Sequence, residues 1–100
     1  MDPFCQLRVN GVDLHKTATM DSAGKKPIWE DEEVDYKVTN MTACVDYKVY
    51  DEDVTYNDLV GEGATSISDF CQENGRFSYP LNYNGSSAGT IRFETSYVNF

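Results

Sequence analysis

The residues with the chemistry are acidic. Asp51, Glu52 and Asp53 follow directly on the alternating run Val45–Tyr50, and Asp58 stands just before the next strand-like segment. In an extended chain residues two apart point the same way, so Asp51 and Asp53 address one point. A reversal through Val54–Asn57 would bring Asp58 to meet them. Three carboxylates at one loop repel each other unless a cation sits between them. An all-oxygen donor set on a flexible loop suits Ca²⁺ better than Zn²⁺, and better than Mg²⁺, whose geometry is stricter. A solvated acidic loop accounts for the same spacing, and the residues alone leave both readings open.

An EF-hand is excluded. Asp51, Asp53, Thr55, Asn57 and Glu62 match several of its ligand positions, but Tyr56 stands where the sharp turn needs glycine. Both flanks alternate as strands, whereas that loop must lie between helices. No catalytic constellation emerges either. His15 is the single histidine, no nucleophile is tied to it by motif, and it reads as a surface residue. Cys5 fits the apolar face of its strand as a core thiol. The run Glu30-Asp31-Glu32-Glu33 reads as a solvated edge. Gly-rich phosphate loops and aromatic–basic stacking platforms are absent. The chain reads as a binding module and not an enzyme.

The charge balance narrows the partners. Seventeen acids against eight bases give a net charge of −9, which argues against nucleic acid and against a constitutive grip on anionic lipid. One hundred residues suit a single domain, 1–100, with 40% apolar residues to fill a modest core. Cys5, Cys44 and Cys71 form neither a C-x-x-C pair nor a disulfide framework. The start Met1-Asp2-Pro3-Phe4 lacks the basic and apolar stretches of a secretory signal, and no apolar run approaches the ~20 residues of a membrane span. These features predict a soluble, cytoplasmic protein, in which the sequons at Asn40 and Asn84 are chance matches.

The elements that must hold the acids are strands. Cys5/Leu7/Val9, Val34/Tyr36/Val38, Val45/Tyr47/Val49 and Ile91/Phe93/Thr95/Tyr97 alternate with polar residues, as in antiparallel sheets wet on one face. Lys16–Met20, Gly63–Ile67 and Phe77–Leu81 are shorter candidates, and Asn10-Gly11 marks a hairpin turn. Turn-rich stretches include Glu73-Asn74-Gly75 and Asn82–Gly89. Ser68–Gln72 predicts one helical turn capped by Ser68. Trp29 should face the core, and its odd spacing from Val34 predicts a β-bulge within Glu30–Glu33. About seven strands with frequent turns predict an all-β fold, an antiparallel β-sandwich.

Four motifs in register carry a resemblance across the chain. Met1-Asp2-Pro3-Phe4 is similar to the S-D-P-Y segment of the C2 domain, the calcium-dependent lipid-binding module. Lys26-Pro27-Ile28-Trp29-Glu30 resembles that family's N-P-x-W-N. Val49-Tyr50-Asp51-Glu52-Asp53 through Asp58-Leu59-Val60-Gly61-Glu62 resembles its calcium loop, V-Y-D-x-D…D-D-x-I-G-E, although one residue is missing between the second and last acids. Tyr79-Pro80-Leu81 and Gly89-Thr90-Ile91 resemble its closing strands.

The resemblance implies a C2-type sandwich that binds Ca²⁺ through Asp2, Asp51, Asp53 and Asp58, with the Glu52 carbonyl as a backbone ligand. It further implies a Ca²⁺-dependent grip on an anionic phospholipid membrane, with Val54 and Tyr56 at the contact; a calcium-independent protein–protein interaction module is the alternative. Lys25 and Lys26 echo the basic strand patch of some members, here beside four acids. The family's first strand would precede Met1. Its absence implies a rearranged sheet, a piece of a longer protein, or a homo-oligomer or strand-donating partner that covers the gap.

Overall fold

The computed structural model describes residues 2–20, 28–29, 32–53, 55–70 and 75–95. Within them the alternating runs become six antiparallel strands, β1 (Pro3–Val9), β2 (Val12–Lys16), β3 (Cys44–Glu52), β4 (Asn57–Ser66), β5 (Gly75–Tyr83) and β6 (Ser86–Thr95), with one helical turn, α1 (Ile67–Phe70). Their hydrogen-bonded order is β2-β1-β3-β4-β5-β6. Two hairpins turn at Asn-Gly pairs. Asn10 and Gly11 have φ of 49° and 79°, and Asn84 and Gly85 have 50° and 78°, the left-handed pair that a two-residue turn matched to strand twist requires.

The alternation sorts the faces. β1 turns Cys5, Leu7 and Val9 inward, and β3 turns Val45, Tyr47 and Val49 inward. Cys5, Leu7, Tyr47 and Val49 pack against Leu81 of β5 and Ile91 of β6, so the two ends of the sheet face each other across a core, as in a sandwich. Each such buried aliphatic side chain contributes about 2 kcal/mol. A second cluster joins Val9, Ala43 and Val45 to Ile67 of α1.

The sheet folds over at the seam between β4 and β5, where the register holds a single pair, Glu62↔Asn82. Pro80 explains part of this: it has no N–H to give a neighbouring strand. Its carbonyl instead accepts the Tyr47 hydroxyl at 2.9 Å, tying the core aromatic of β3 to the far side. Gly63 makes room, because a Cβ there would meet the Tyr47 ring closer than the 3.0 Å that real Cβ atoms keep.

Several local expectations are corrected. Val34–Val38 is no strand; Val34 and Tyr36 are 38% and 39% exposed, and only Val38 packs against the core. Glu32 and Glu33 lie outside any strand, while Glu30 and Asp31, on which the bulge expected in Glu30–Glu33 also falls, lie outside the described residues. Only Lys16 of Lys16–Met20 belongs to a strand, although Thr17 and Met20 still donate backbone bonds to Cys5 and Pro3 of β1. The helical turn begins at Ile67 and is capped by Ser66, whose Oγ accepts the Asp69 N–H at 3.2 Å; Gln72 lies outside the described residues. Asn82, Tyr83 and Ser86–Gly89, expected as loop, are strand residues on either side of the Asn84-Gly85 turn. Trp29 does pack against the core and donates its indole N–H to Ala18 O at 3.0 Å.

Candidate metal centre at the acidic end of the sheet

Register decides what the acids can do. β1 starts, β3 ends and β4 starts at the same end of the sheet. There Asp51 lies opposite Pro3 on one side and opposite Asp58 on the other, while Glu52 lies opposite Asn57. The Asp2 amide donates to Asp51 Oδ1 at 2.9 Å, and the Glu52 amide donates to the Asp2 carbonyl at 2.9 Å. The antiparallel course of β5 brings the Asn84-Gly85 turn to this end as well. An open cleft beside it is lined by Leu59, Glu62, Asn82, Tyr83, Asn84 and Gly85.

Asp2, Asp51 and Asp58 are therefore gathered at one end by strand pairing. Asp51 and Asp2 are half-buried, whereas Glu52, Asp53 and Asp58 are exposed. Like charges directly opposite each other across strands are destabilising, and Asp51 and Asp58 are such a pair. Among the described residues, however, no three acidic, histidine or cysteine side chains stand close enough to hold a metal ion. Asp53 lies just past the end of β3, Tyr56 is 64% exposed in the following loop, and Val54 lies outside the described residues. Asn57, weighed in the sequence only as an EF-hand position, adds an amide oxygen opposite Glu52. Only the pairing register reveals that placement.

Other candidate groups are spoken for. Burial pushes the Cys5 thiol up to about 12, which makes it an inert core group. Burial also raises Tyr47, with the neighbouring Tyr79 adding to the effect. His15 is partly exposed, but its Nε2 is enclosed, 3.6 Å from Glu32 Oε2. Glu32 is held in turn, since its Oε1 accepts the Ala18 N–H at 2.7 Å, so this part of the acidic run is a tether and not a solvated edge. On the outer face Arg8 pairs with Asp46 at 3.3 Å, and Lys16 Nζ sits 4.6 Å over the Phe4 ring, which stacks on Tyr50. Lys25 and Lys26 lie outside the described residues. Among the described residues no helix is long and apolar enough to cross a membrane.

Comparison with known proteins agrees on one family. The model of the C2 domain family matches residues 1–81. Among solved structures, one described as the structure of a C2 domain superposes with a TM-score of 0.64 at 18% identity, covering 91% of this chain and 76% of that one. No curated protein matches significantly.

Proposed function

The chain belongs to the C2 domain family, and from that premise we propose that it is a cytoplasmic, non-catalytic module that binds anionic phospholipid membranes in a Ca²⁺-dependent way. The observation that carries the proposal is the register that sets Asp51 opposite Asp58 and hydrogen-bonds it to Asp2. The donor set fits the ion in kind: carboxylates of Asp2, Asp51, Asp53 and Asp58 and the Glu52 carbonyl supply only oxygen. Strand pairing, which brings three of the four aspartates to one end of the sheet, supports the reading. The exposed side chains of Asp53 and Asp58 are the ones that must swing in to complete it.

Bound there, Ca²⁺ would neutralise the carboxylates and keep coordination positions open to lipid phosphate. The rest follows from the chain's own residues. With the acids bare, a protein of net charge −9 presents its most negative end to an anionic surface and is repelled. With them neutralised, Val54 and Tyr56, between Asp53 and Asp58 in the sequence, are the residues that enter the interface, Tyr at the headgroup level. Because the attraction is largely electrostatic, added salt weakens it.

The second reading, a calcium-independent protein-interaction module, draws on a specific observation: Asp51 already accepts the Asp2 amide, and no metal cage is assembled among the described residues. Calorimetric titration separates the two. The proposal expects heat on adding Ca²⁺ and a melting temperature that rises with its concentration, both lost in the Asp51→Asn/Asp53→Asn double variant. No heat with the wild type favours the interaction module, and an unchanged response in the double variant puts the site elsewhere.

A further inference from the structure

Asn10-Gly11 and Asn84-Gly85 are the same dipeptide in the same left-handed turn, and the fold holds them differently. An asparagine before glycine is chemically weak, because glycine has no side chain to keep its main-chain nitrogen away from the asparagine amide. At the first turn two hydrogen bonds hold Asn10. Its Oδ1 accepts the Cys44 N–H at 2.9 Å, and its own N–H donates to the Cys44 carbonyl at 2.9 Å. Side chain and main chain are thereby both fixed on β3. At the second turn Asn84 and Gly85 are exposed beyond the Tyr83↔Ser86 pair, and Asn84 lines the open cleft together with Glu62. Among the described residues no hydrogen bond holds the Asn84 amide. Asn74, of the remaining Asn-Gly pair, lies outside the described residues.

The reaction open to such a pair needs only the chain and water. The Gly85 N–H gives its proton to a solvent base, and the nitrogen attacks Cγ of Asn84. A C–N bond forms, the Cγ–Nδ2 bond breaks, and ammonia leaves with a proton from solvent. Water then opens the resulting succinimide ring at either carbonyl. One opening restores the main chain with an aspartate; the other routes the main chain through Cγ as an isoaspartate. Nothing is oxidised or reduced, and the net change is NH2 for OH. Either product puts a new carboxylate at the cleft that Glu62 lines, in a chain whose net charge is already −9.

We propose that Asn84 is a self-modification site that deamidates through Gly85, whereas Asn10 is protected by its two bonds to Cys44. The inference does not depend on calcium or lipid. Incubating the intact chain in mildly alkaline buffer made with heavy-oxygen water, followed by tryptic peptide mapping in ordinary water, tests it. Cleavage after Arg76 and Arg92 separates Asn84 from Asn74, and cleavage after Arg8 and Lys16 isolates Asn10. In the folded chain the Asn84 peptide should take up heavy oxygen about tenfold faster than the Asn10 peptide, because Asn10 must first release two hydrogen bonds. In denaturant the two rates should converge, since the dipeptide is the same. Asn84→Gln, which would have to close a larger ring, should silence its own peptide and leave the Asn10 rate unchanged. An Asn84 peptide that stays unlabelled in the folded chain, an Asn10 peptide that labels as fast, or a difference that survives denaturation would each overturn the proposal.

Discussion

Cys5 is 3% exposed on the inner face of β1, where burial pushes its thiol up to about 12 from the ordinary 9.0. The stability consequence has a definite sign. Below pH 9 the thiol is protonated in both the folded and unfolded chain and contributes no pH dependence. Between pH 9 and 12 the unfolded chain gives up this proton while the folded chain keeps it, so stability falls as pH rises, by about 1 kcal/mol per pH unit. Thermal melts across this range should show a steep decline in the wild type and a shallower one in Cys5→Ala. Equal slopes would mean that Cys5 does not carry the effect. Tyr47, raised in the same direction by burial, accounts for part of the slope that remains.

At the scale of elements, the turn after β4 is held from both sides. The Ile67 and Ser68 amides donate to the carbonyls of Ala43 and Met41 at 2.8 and 3.0 Å, and Ser66 Oγ caps the turn at the Asp69 amide. Ser66→Ala should therefore cost about 1 kcal/mol in chemical denaturation, and Ser68→Ala clearly less. The reverse order would restore the cap to Ser68, where the sequence suggests it. Two serines two residues apart look alike to a propensity rule; only the strand end at Ser66 tells them apart. The same limit applies to Val34–Val38, whose apolar–polar alternation equals that of β3. Alternation describes a strand only when a neighbour is in register, and in the described fold β1 takes both of its pairings from β2 and β3. Where partner and pattern coincide, as in β1, β3 and the Asn10-Gly11 turn, the elements were legible from the residues alone. Of the candidate site, the acidic residue types and the spacing of Asp51 and Asp53 were readable in the sequence. The approach of Asp2 and Asp58 depended on long-range pairing, which no local pattern encodes, and entered the reading through the family resemblance and an assumed reversal of the loop.

For the molecule as a whole, the sandwich sets the core apart from the candidate site. The core clusters run through the middle of β1, β3, β5 and β6 and end in α1 at one end of the sheet, while Asp2, Asp51 and Asp58 gather at the other. On the proposed function, a chain of net charge −9 would need that end neutralised before it approaches an anionic surface. The most direct test is co-sedimentation with phosphatidylserine vesicles, with Ca²⁺ and with chelator, for the wild type and for Asp51→Asn/Asp53→Asn. The account predicts that the wild type pellets with vesicles only in Ca²⁺, that added salt releases it, and that the double variant stays in the supernatant in both conditions. Equal pelleting of the wild type with Ca²⁺ and with chelator would contradict it.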